Sequence, residues 1–454
     1  MRIMKRFQRT LAEPTKGPRA SVVFLPSALI VRRIVTLFLV GVFASLVEVA
    51  AQSKAGAKPG SRNLNKTGKA IDLKRNEDAA PAEDEPRTQG PSATSSDERG
   101  ESSKSSWNYG GFVDVGYLLD FNHPSNDVFR SRGTTWHVDN VYINMAAAYV
   151  KKDPSESSRW GAQVTVQGGK DSEVFGFSTT APNIEGFEWL RHLGPTNVSY
   201  LAPVGKGLTL QGGIFSSLIG YDSLYAKDNF NYTRPWGADF TPYLMMGINA
   251  SYPFTKKLTG SLYAINGYWH LANANSVPSF GGQIAYKATE RLTVKETVLA
   301  GPHQSNTSSR FWRFLSDNIA EWKSDRVTVA LEYIASWERV DAPGLPRALM
   351  MAGQLPIHWS INNRWNATVR PEVFWDRDGR WTLARQTVKA ITTTLEYRIP
   401  FHLSNTILRV EHRWDDSRGP EGGFFRGAEI APGVVGLTST QHLLTFGLIF
   451  TFDR

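Results

Sequence analysis

The last stretch of the chain, QHLLTFGLIFTFDR (Gln441–Arg454), alternates between two kinds of side chain. From position 444 the even-numbered residues are large and apolar, namely Leu444, Phe446, Leu448, Phe450 and Phe452. The residues between them are Thr, Gly, Ile, Thr and Asp. Alternation with a period of two is typical of a β-strand with one apolar face. The chain therefore ends in a strand whose face of Leu and Phe needs an apolar environment.

The same alternation recurs along the chain from Trp107 onward. It is found in the segments 107–121, 141–149, 160–167, 327–338, 365–375, 391–399 and 408–414. In the last three segments the polar face carries charged residues. A soluble β-sandwich also alternates in this way. Many of the apolar faces, however, end in Trp, Tyr or Phe, as the aromatic girdles at the two surfaces of a bilayer require.

The lengths of the connections favour a membrane barrel. Short polar turns are predicted at 151–158, 202–207, 253–257, 287–291, 323–326, 360–364 and 401–405, and longer segments at 122–139, 170–196, 216–241, 271–278, 302–311, 339–347, 377–385 and 416–439. This alternation predicts an all-β fold, a transmembrane antiparallel β-barrel of about 16 strands with seven short periplasmic turns and eight longer outer loops. A barrel of this size leaves an aqueous channel.

The strand pattern also predicts which residues face lipid. We expect this set to include Val113, Tyr117, Val329, Leu331, Val410 and Phe446. One strand fits poorly, because the apolar face of Leu292–Gly301 would include Glu296. We therefore expect a bulge or a change of register in that strand. The final strand must pair with the first, because an unpaired strand edge cannot lie in hydrocarbon.

The N-terminal region has a different composition. Residues 1–51 are predicted to be a signal peptide, because Arg32-Arg33 precede the apolar run 34–47 and Val49-Ala50-Ala51 fits a cleavage site. An inner-membrane anchor is the alternative. Residues 52–106 contain no Phe, Trp or Tyr and are predicted to form a disordered periplasmic linker. The first 51 residues carry eight Lys or Arg and two Asp or Glu, so they account for six of the nine net positive charges. A nucleic-acid partner is therefore not expected.

The residues give no pattern for catalysis or for a cofactor. There is no Cys, and no two of the nine His residues are three or four positions apart, so neither a cofactor nor a metal site is predicted. Gly168-Gly169-Lys170 lacks the remainder of a phosphate-binding loop. Isolated residues such as Ser336 and His412 are interpreted as groups of the lumen wall or of the interface. The chain is predicted not to be an enzyme. The alternatives are a secreted soluble all-β binding protein and, less favoured, an outer-membrane barrel enzyme.

The segment YLAPVGKGLTLQGGIFSSLIGYDSLYAKDNFNYTRP (Tyr200–Pro235) resembles the family named Putative beta-barrel porin-2, OmpL-like. Further similar motifs are GINASYPFTKKLTG (247–260), FGGQIAYKATERLTV (280–294), LAGP (299–302) and TLEYRI (394–399). The resemblance implies a porin of the bacterial outer membrane, with a water-filled channel for passive diffusion of small hydrophilic solutes or ions. Its partners would be outer-membrane lipid, the barrel assembly machinery and small polar solutes. Similarity to general porins also implies a homotrimer.

The third long loop is the candidate pore constriction, because general porins fold this loop into the lumen. Its candidate residues are Tyr221, Asp222, Tyr225, Lys227, Asp228, Tyr232 and Arg234. The predicted lumen wall carries Glu332, Arg370, Glu372, Glu396, Arg398, Arg409, Glu411 and Arg413. Acidic loop groups opposite basic wall groups would discriminate between ions. The alternatives are a loop on the outer surface and wall charges that pair with one another.

Overall fold

A computed structural model of the chain describes residues 107–176, 187–268, 271, 277–304, 309–342 and 344–453. The predicted signal peptide (1–51) and linker (52–106) lie outside these residues. The described part is almost entirely β-structure. Four short helices, at Lys170–Gly176, Phe187–Leu190, Ala226–Asp228 and Ala238–Phe240, lie in connections between strands. No helix among the described residues is long and apolar enough to cross a membrane.

Alternating sequence segments form the strands. They are β1 (Trp107–Asp120), β2 (Val141–Lys152), β3 (Trp160–Gly168), β4 (Thr196–Ala202), β5 (Leu208–Ser216), β6 (Leu244–Pro253), β7 (Leu258–Ile265), β8 (Ser279–Lys287), β9 (Leu292–Pro302), β10 (Trp312–Lys323), β11 (Val327–Ala342), β12 (Leu345–Gln354), β13 (Ile357–Ser360), β14 (Trp365–Asp376), β15 (Gln386–Phe401), β16 (Ser404–Arg418), β17 (Phe424–Ala431), β18 (Val434–Thr438) and β19 (Thr440–Asp453). Strands β17 and β18 form a separate hairpin in the last outer loop.

The remaining strands form one closed antiparallel barrel. β12 and β13 are two parts of one membrane strand, since both pair with β11 and β14, and counting them as one gives 16 strands. Strand β19 pairs with β16 on one side and with β1 on the other, from Gly110 opposite Asp453 to Asp120 opposite Leu443. The predicted fold class and the closure by the final strand are confirmed.

The apolar faces of the strands point outward. Val113, Val410 and Phe446 are 40–47 % exposed on the outer surface, and Tyr117, Val329 and Leu331 are half-buried on the same surface. Polar residues between them, such as Asp114 and Thr328, are buried inside the barrel. A soluble sandwich would bury its apolar faces instead. This inside-out arrangement suits a protein surrounded by lipid.

One predicted outer loop is wrong. The segment 339–347 continues the two strands, because β11 extends to Ala342 and β12 begins at Leu345, with Arg339 paired with Arg347. Both Arg residues are exposed. Beyond the bilayer either face of a strand can be polar, so the alternating pattern no longer marks the strand. The barrel therefore has one tight outer turn in place of the sixth longer loop.

The expected bulge near Glu296 is also absent. Strand β9 pairs in continuous register with β8 and β10, and Glu296 lies between Ile284 and Asn318. Glu296 is exposed on the outer face of the barrel. The hydrogen-bond ladders of the two neighbouring strands hold the register, so a single charged residue does not shift it.

Candidate functional site in the barrel lumen

The connection between β5 and β6, residues 217–243, lies inside the barrel. Residues 231–243 are all buried, and Tyr232, Trp236 and Phe240 are at most 1 % exposed. Residues 222, 223, 225, 227 and 228 keep part of their surface accessible. This segment is called the lumen loop below. Its polar backbone groups are removed from bulk water and therefore need partners on the wall.

Carboxylates of the wall accept hydrogen bonds from the backbone of the lumen loop. Asp317 accepts from the N–H of Gly220 (2.7 Å), Glu332 from Tyr221 (2.7 Å), Glu411 from Tyr232 (2.6 Å) and Glu372 from Trp236 (2.6 Å). Glu411 also accepts from the N–H of Thr233 at 2.9 Å. These carboxylates therefore attach the loop to strands β10, β11, β14 and β16.

Arginine side chains of β16 bind the backbone carbonyl groups of the same loop. Arg409 donates to the carbonyl oxygens of Ala226 and Asn229, each at 2.6 Å, and Arg413 donates to that of Arg234 at 3.1 Å. Both guanidinium groups also form ion pairs, Arg409 with Glu396 at 2.7 Å and Arg413 with Glu372 at 2.8 Å. The wall charges are thus compensated by one another and by the loop, as a buried charge requires.

Seven of the eight predicted wall residues lie beneath or beside the lumen loop. Glu332, Arg370, Glu372, Glu396, Arg409, Glu411 and Arg413 are buried. Arg370 lies 3.9 Å from Asp222 of the loop and 3.6 Å from Glu372. Arg398 stays half-buried and donates to Glu396 at 2.6 Å. These charges therefore contact the loop or one another, and little of them faces open water.

The predicted loop residues point in several directions. Tyr221 donates to Glu321 (2.7 Å), Tyr225 to Gln167 (2.6 Å) and Tyr232 to Asp114 (2.6 Å), while Asp222 accepts from Gln354 (2.6 Å), Lys227 pairs with Asp228 (2.7 Å) and Arg234 with Asp171 (2.9 Å). Burial raises the pKa of Asp222 above its ordinary value of 3.8, although Arg370 opposes the shift. The loop therefore reaches from β10 to β3 around the inside of the barrel.

Residues of the outer loops also contact the lumen loop. Arg132 of the first outer loop pairs with Asp239 of the lumen loop at 3.0 Å, and both side chains are fully buried. An aromatic cluster lies beside this pair. Trp236 packs against Phe129, Phe374 and Phe424, and Phe240 packs against Phe374. No sequence pattern predicts these contacts, since they join segments that are more than one hundred residues apart.

The lumen loop leaves one part of the wall uncovered. At one edge the carbonyl oxygen of Leu218 accepts from Gln283 of β8 at 2.6 Å, and at the other Tyr225 reaches Gln167 of β3. The strands between these edges, β4 to β7, contain no Asp, Glu, Lys, Arg or His. We call this surface the neutral wall. In the sequence, the neutral wall can be recognised as four consecutive strands without a charged residue.

Hydroxyl and amide groups line the neutral wall. Ser199, Gln211, Asn249 and Ser251 are half-buried and occupy the lumen-facing positions. Gln211 donates to Asn197 at 3.0 Å, and Ser251 accepts from Ser261 at 3.1 Å. Such groups can exchange hydrogen bonds with water or with a polar solute. Among the described residues, no group of three or more potential ligands is placed to hold a metal ion.

Comparison with known proteins identifies one family. The sequence model of the family described as "Putative beta-barrel porin-2, OmpL-like" matches residues 106–452. No curated protein matches the chain.

Two solved structures show the same fold. The anion-selective porin from Comamonas acidovorans is 10 % identical, with a TM-score of 0.51 over 77 % of this chain and 100 % of that one. A structure of OmpF from Salmonella typhi in complex with daunomycin is 11 % identical, with a TM-score of 0.50 over 77 % of this chain and 98 % of that one.

Proposed function

Because the chain belongs to the Putative beta-barrel porin-2, OmpL-like family, we propose that its channel passes small polar solutes without net charge along the neutral wall. The protein is a porin of the bacterial outer membrane, and its barrel forms a channel. The class of solute and its route along the neutral wall are our proposal and go beyond what the family and the fold show. The observation that carries them is the separation of the lumen into a charged part, covered by the lumen loop, and the neutral wall of four strands.

The chemistry of the neutral wall and of the charged part of the lumen supports this route. A solute that enters a narrow channel loses part of its hydration shell and needs replacement from the wall. Ser199, Gln211 and Asn249 offer dipoles, which suit hydroxyl and amide groups better than a bare charge. Lys227 and Asp228 of the loop pair with each other at 2.7 Å, so their net field is small. We expect weak ion selectivity, with the lumen loop as the constriction.

Single cysteines test the route, because the natural chain has none. Gln211→Cys places a thiol on the neutral wall. Thr392→Cys places one on β15, in the buried, charged part of the wall. We expect a water-soluble thiol reagent to modify Gln211→Cys and to lower its single-channel conductance, and to leave Thr392→Cys unchanged. A block at Thr392→Cys alone would refute the proposed route.

Solute uptake tests the class of solute. Proteoliposomes should swell faster in a small neutral polyol than in a charged solute of similar size. Equal or reversed rates would argue against the neutral wall as the route. We further predict that the chain lacks catalytic activity, that it contacts the barrel assembly machinery and that it forms a homotrimer. Chemical cross-linking in native membranes would test the homotrimer.

A further inference from the structure

A carboxylate lies in the middle of the lipid-facing surface. Glu296 of β9 is exposed on the outer face and is paired in register with Asn318 of β10. On the same face of β10, Phe314 and Trp322 each lie four residues from Asn318. With a rise of about 3.4 Å per residue and a tilt of about 45°, each aromatic ring is roughly 10 Å from Asn318 along the membrane normal. Glu296 is therefore remote from both membrane surfaces.

No group in the described part of the chain donates a hydrogen bond or forms an ion pair with Glu296. Hydrocarbon offers no donor either, so a single barrel leaves this carboxylate without a partner. Ionisable residues at this depth are rare and commonly mark a functional contact. Its cross-strand partner on the outer face is Asn318, whose amide donates one N–H to Ser316 at 3.0 Å. Its second N–H and its oxygen are not used in that bond.

We propose that Glu296, Ser316 and Asn318 form the contact surface for a second copy of this chain in the membrane. Two barrels in one membrane have the same orientation, so their symmetry axis is parallel to the membrane normal and brings together residues of equal depth. Glu296 and Asn318 have equal depth because they are cross-strand partners. The carboxylate of one copy can therefore accept a hydrogen bond from the amide of the next copy around the axis, in a dimer or in the predicted homotrimer.

The surroundings of Glu296 allow close approach of a second barrel. Gly282 and Ala320 lie diagonally beside it on the outer faces of β8 and β10, and the larger Ile284 and Val298 flank it. Small residues let two membrane proteins approach until polar groups meet. A lipid head group could supply a donor, but it lies at the membrane surface, roughly 10 Å from this depth. The second copy is thus the occupant that fits both the depth and the chemistry.

Assembly state measures the contact directly. Full-length protein extracted from outer membranes in mild detergent should be oligomeric by light scattering. Glu296→Leu should be monomeric, with unchanged conductance per barrel. Thr393→Leu, which removes an exposed polar residue from the outer face of β15, is the matched control and should behave as the native protein. A monomeric native protein, or a Glu296→Leu variant that assembles like it, would overturn the proposal.

Cross-linking remains informative if Glu296→Leu does not fold. Ser316→Cys keeps Glu296 and adds the only thiol of the chain. A short bis-maleimide applied to intact outer membranes should join two copies of Ser316→Cys and none of Thr393→Cys. A product with a different protein, or no product, would overturn the proposal. Neither result bears on the solute route, which the conductance of each barrel tests separately.

Discussion

Arg409 and Glu411, two residues apart on β16, bind neighbouring parts of the lumen loop through opposite chemistry. Arg409 donates to the carbonyl oxygens of Ala226 and Asn229, and Glu411 accepts from the N–H groups of Tyr232 and Thr233. One strand thus satisfies both kinds of backbone group. The charges that the sequence places on this face serve as attachment points for a segment without regular structure.

Removal of the loop should widen the channel. Replacing residues 222–232 by a short Gly-Ser linker deletes the carbonyl groups that Arg409 binds and the Tyr232 N–H that Glu411 binds. We expect higher single-channel conductance in planar bilayers. A deletion of similar length in the last outer loop, within 425–435, is the control and should change conductance less. Unchanged conductance in the first variant would mean that the loop does not limit the passage.

Reversal of the wall charges should release the loop. In the double variant Arg409→Glu with Arg413→Glu, new carboxylates face Glu396, which keeps only Arg398, and Asp415, which loses Arg413. Loss of one partner of a buried ion pair costs about 3–5 kcal/mol. We expect higher conductance and a shift toward cations, largest at low salt because screening is weakest there. The reversal potential in a salt gradient measures the shift, and an unaltered value would contradict the prediction.

The two faces of β11 should tolerate charge differently. Leu331 faces lipid and Thr328 faces the lumen. An Arg at a lipid-facing position costs about 2–4 kcal/mol at the membrane midplane. Leu331→Arg should therefore lower the free energy of unfolding in lipid by up to that amount, and Thr328→Arg by less. Refolding titrations in urea measure both values, and equal losses would show that the faces are assigned wrongly.

Acid should favour the docked loop. Burial raises the pKa of Asp222 above 3.8, so the docked loop binds a proton more tightly than a released one. The stabilisation is fully present below the ordinary pKa and is lost as the pH rises through the raised value. Conductance should fall as the pH is lowered through the raised pKa of Asp222. Asp222→Asn should reduce this response, and a rise in conductance with acid would contradict the assignment.

The strands and their faces could be predicted because the pattern that defines them is local. A period of two is visible in Val329, Leu331 and Tyr333 without any knowledge of neighbouring strands. The loop contacts could not be predicted, since Gly220 and Asp317 are 97 residues apart and no short-range rule joins them. The charged faces of β14 to β16 were recognised, yet their role as attachment points depends on which segment enters the lumen. Glu296 was recognised as anomalous, and only the register placed it on the outer face.

The attachment of the lumen loop also constrains the order in which the protein is built. The carboxylates that receive Gly220, Tyr221, Trp236 and Tyr232 follow them in the chain by 97, 111, 136 and 179 residues. Contacts across such separations form late, because the intervening chain must first be organised. While the later strands are still missing, the loop has no place to dock and its backbone stays hydrated. We therefore expect the lumen loop to dock late in biogenesis, after the wall that receives it has formed.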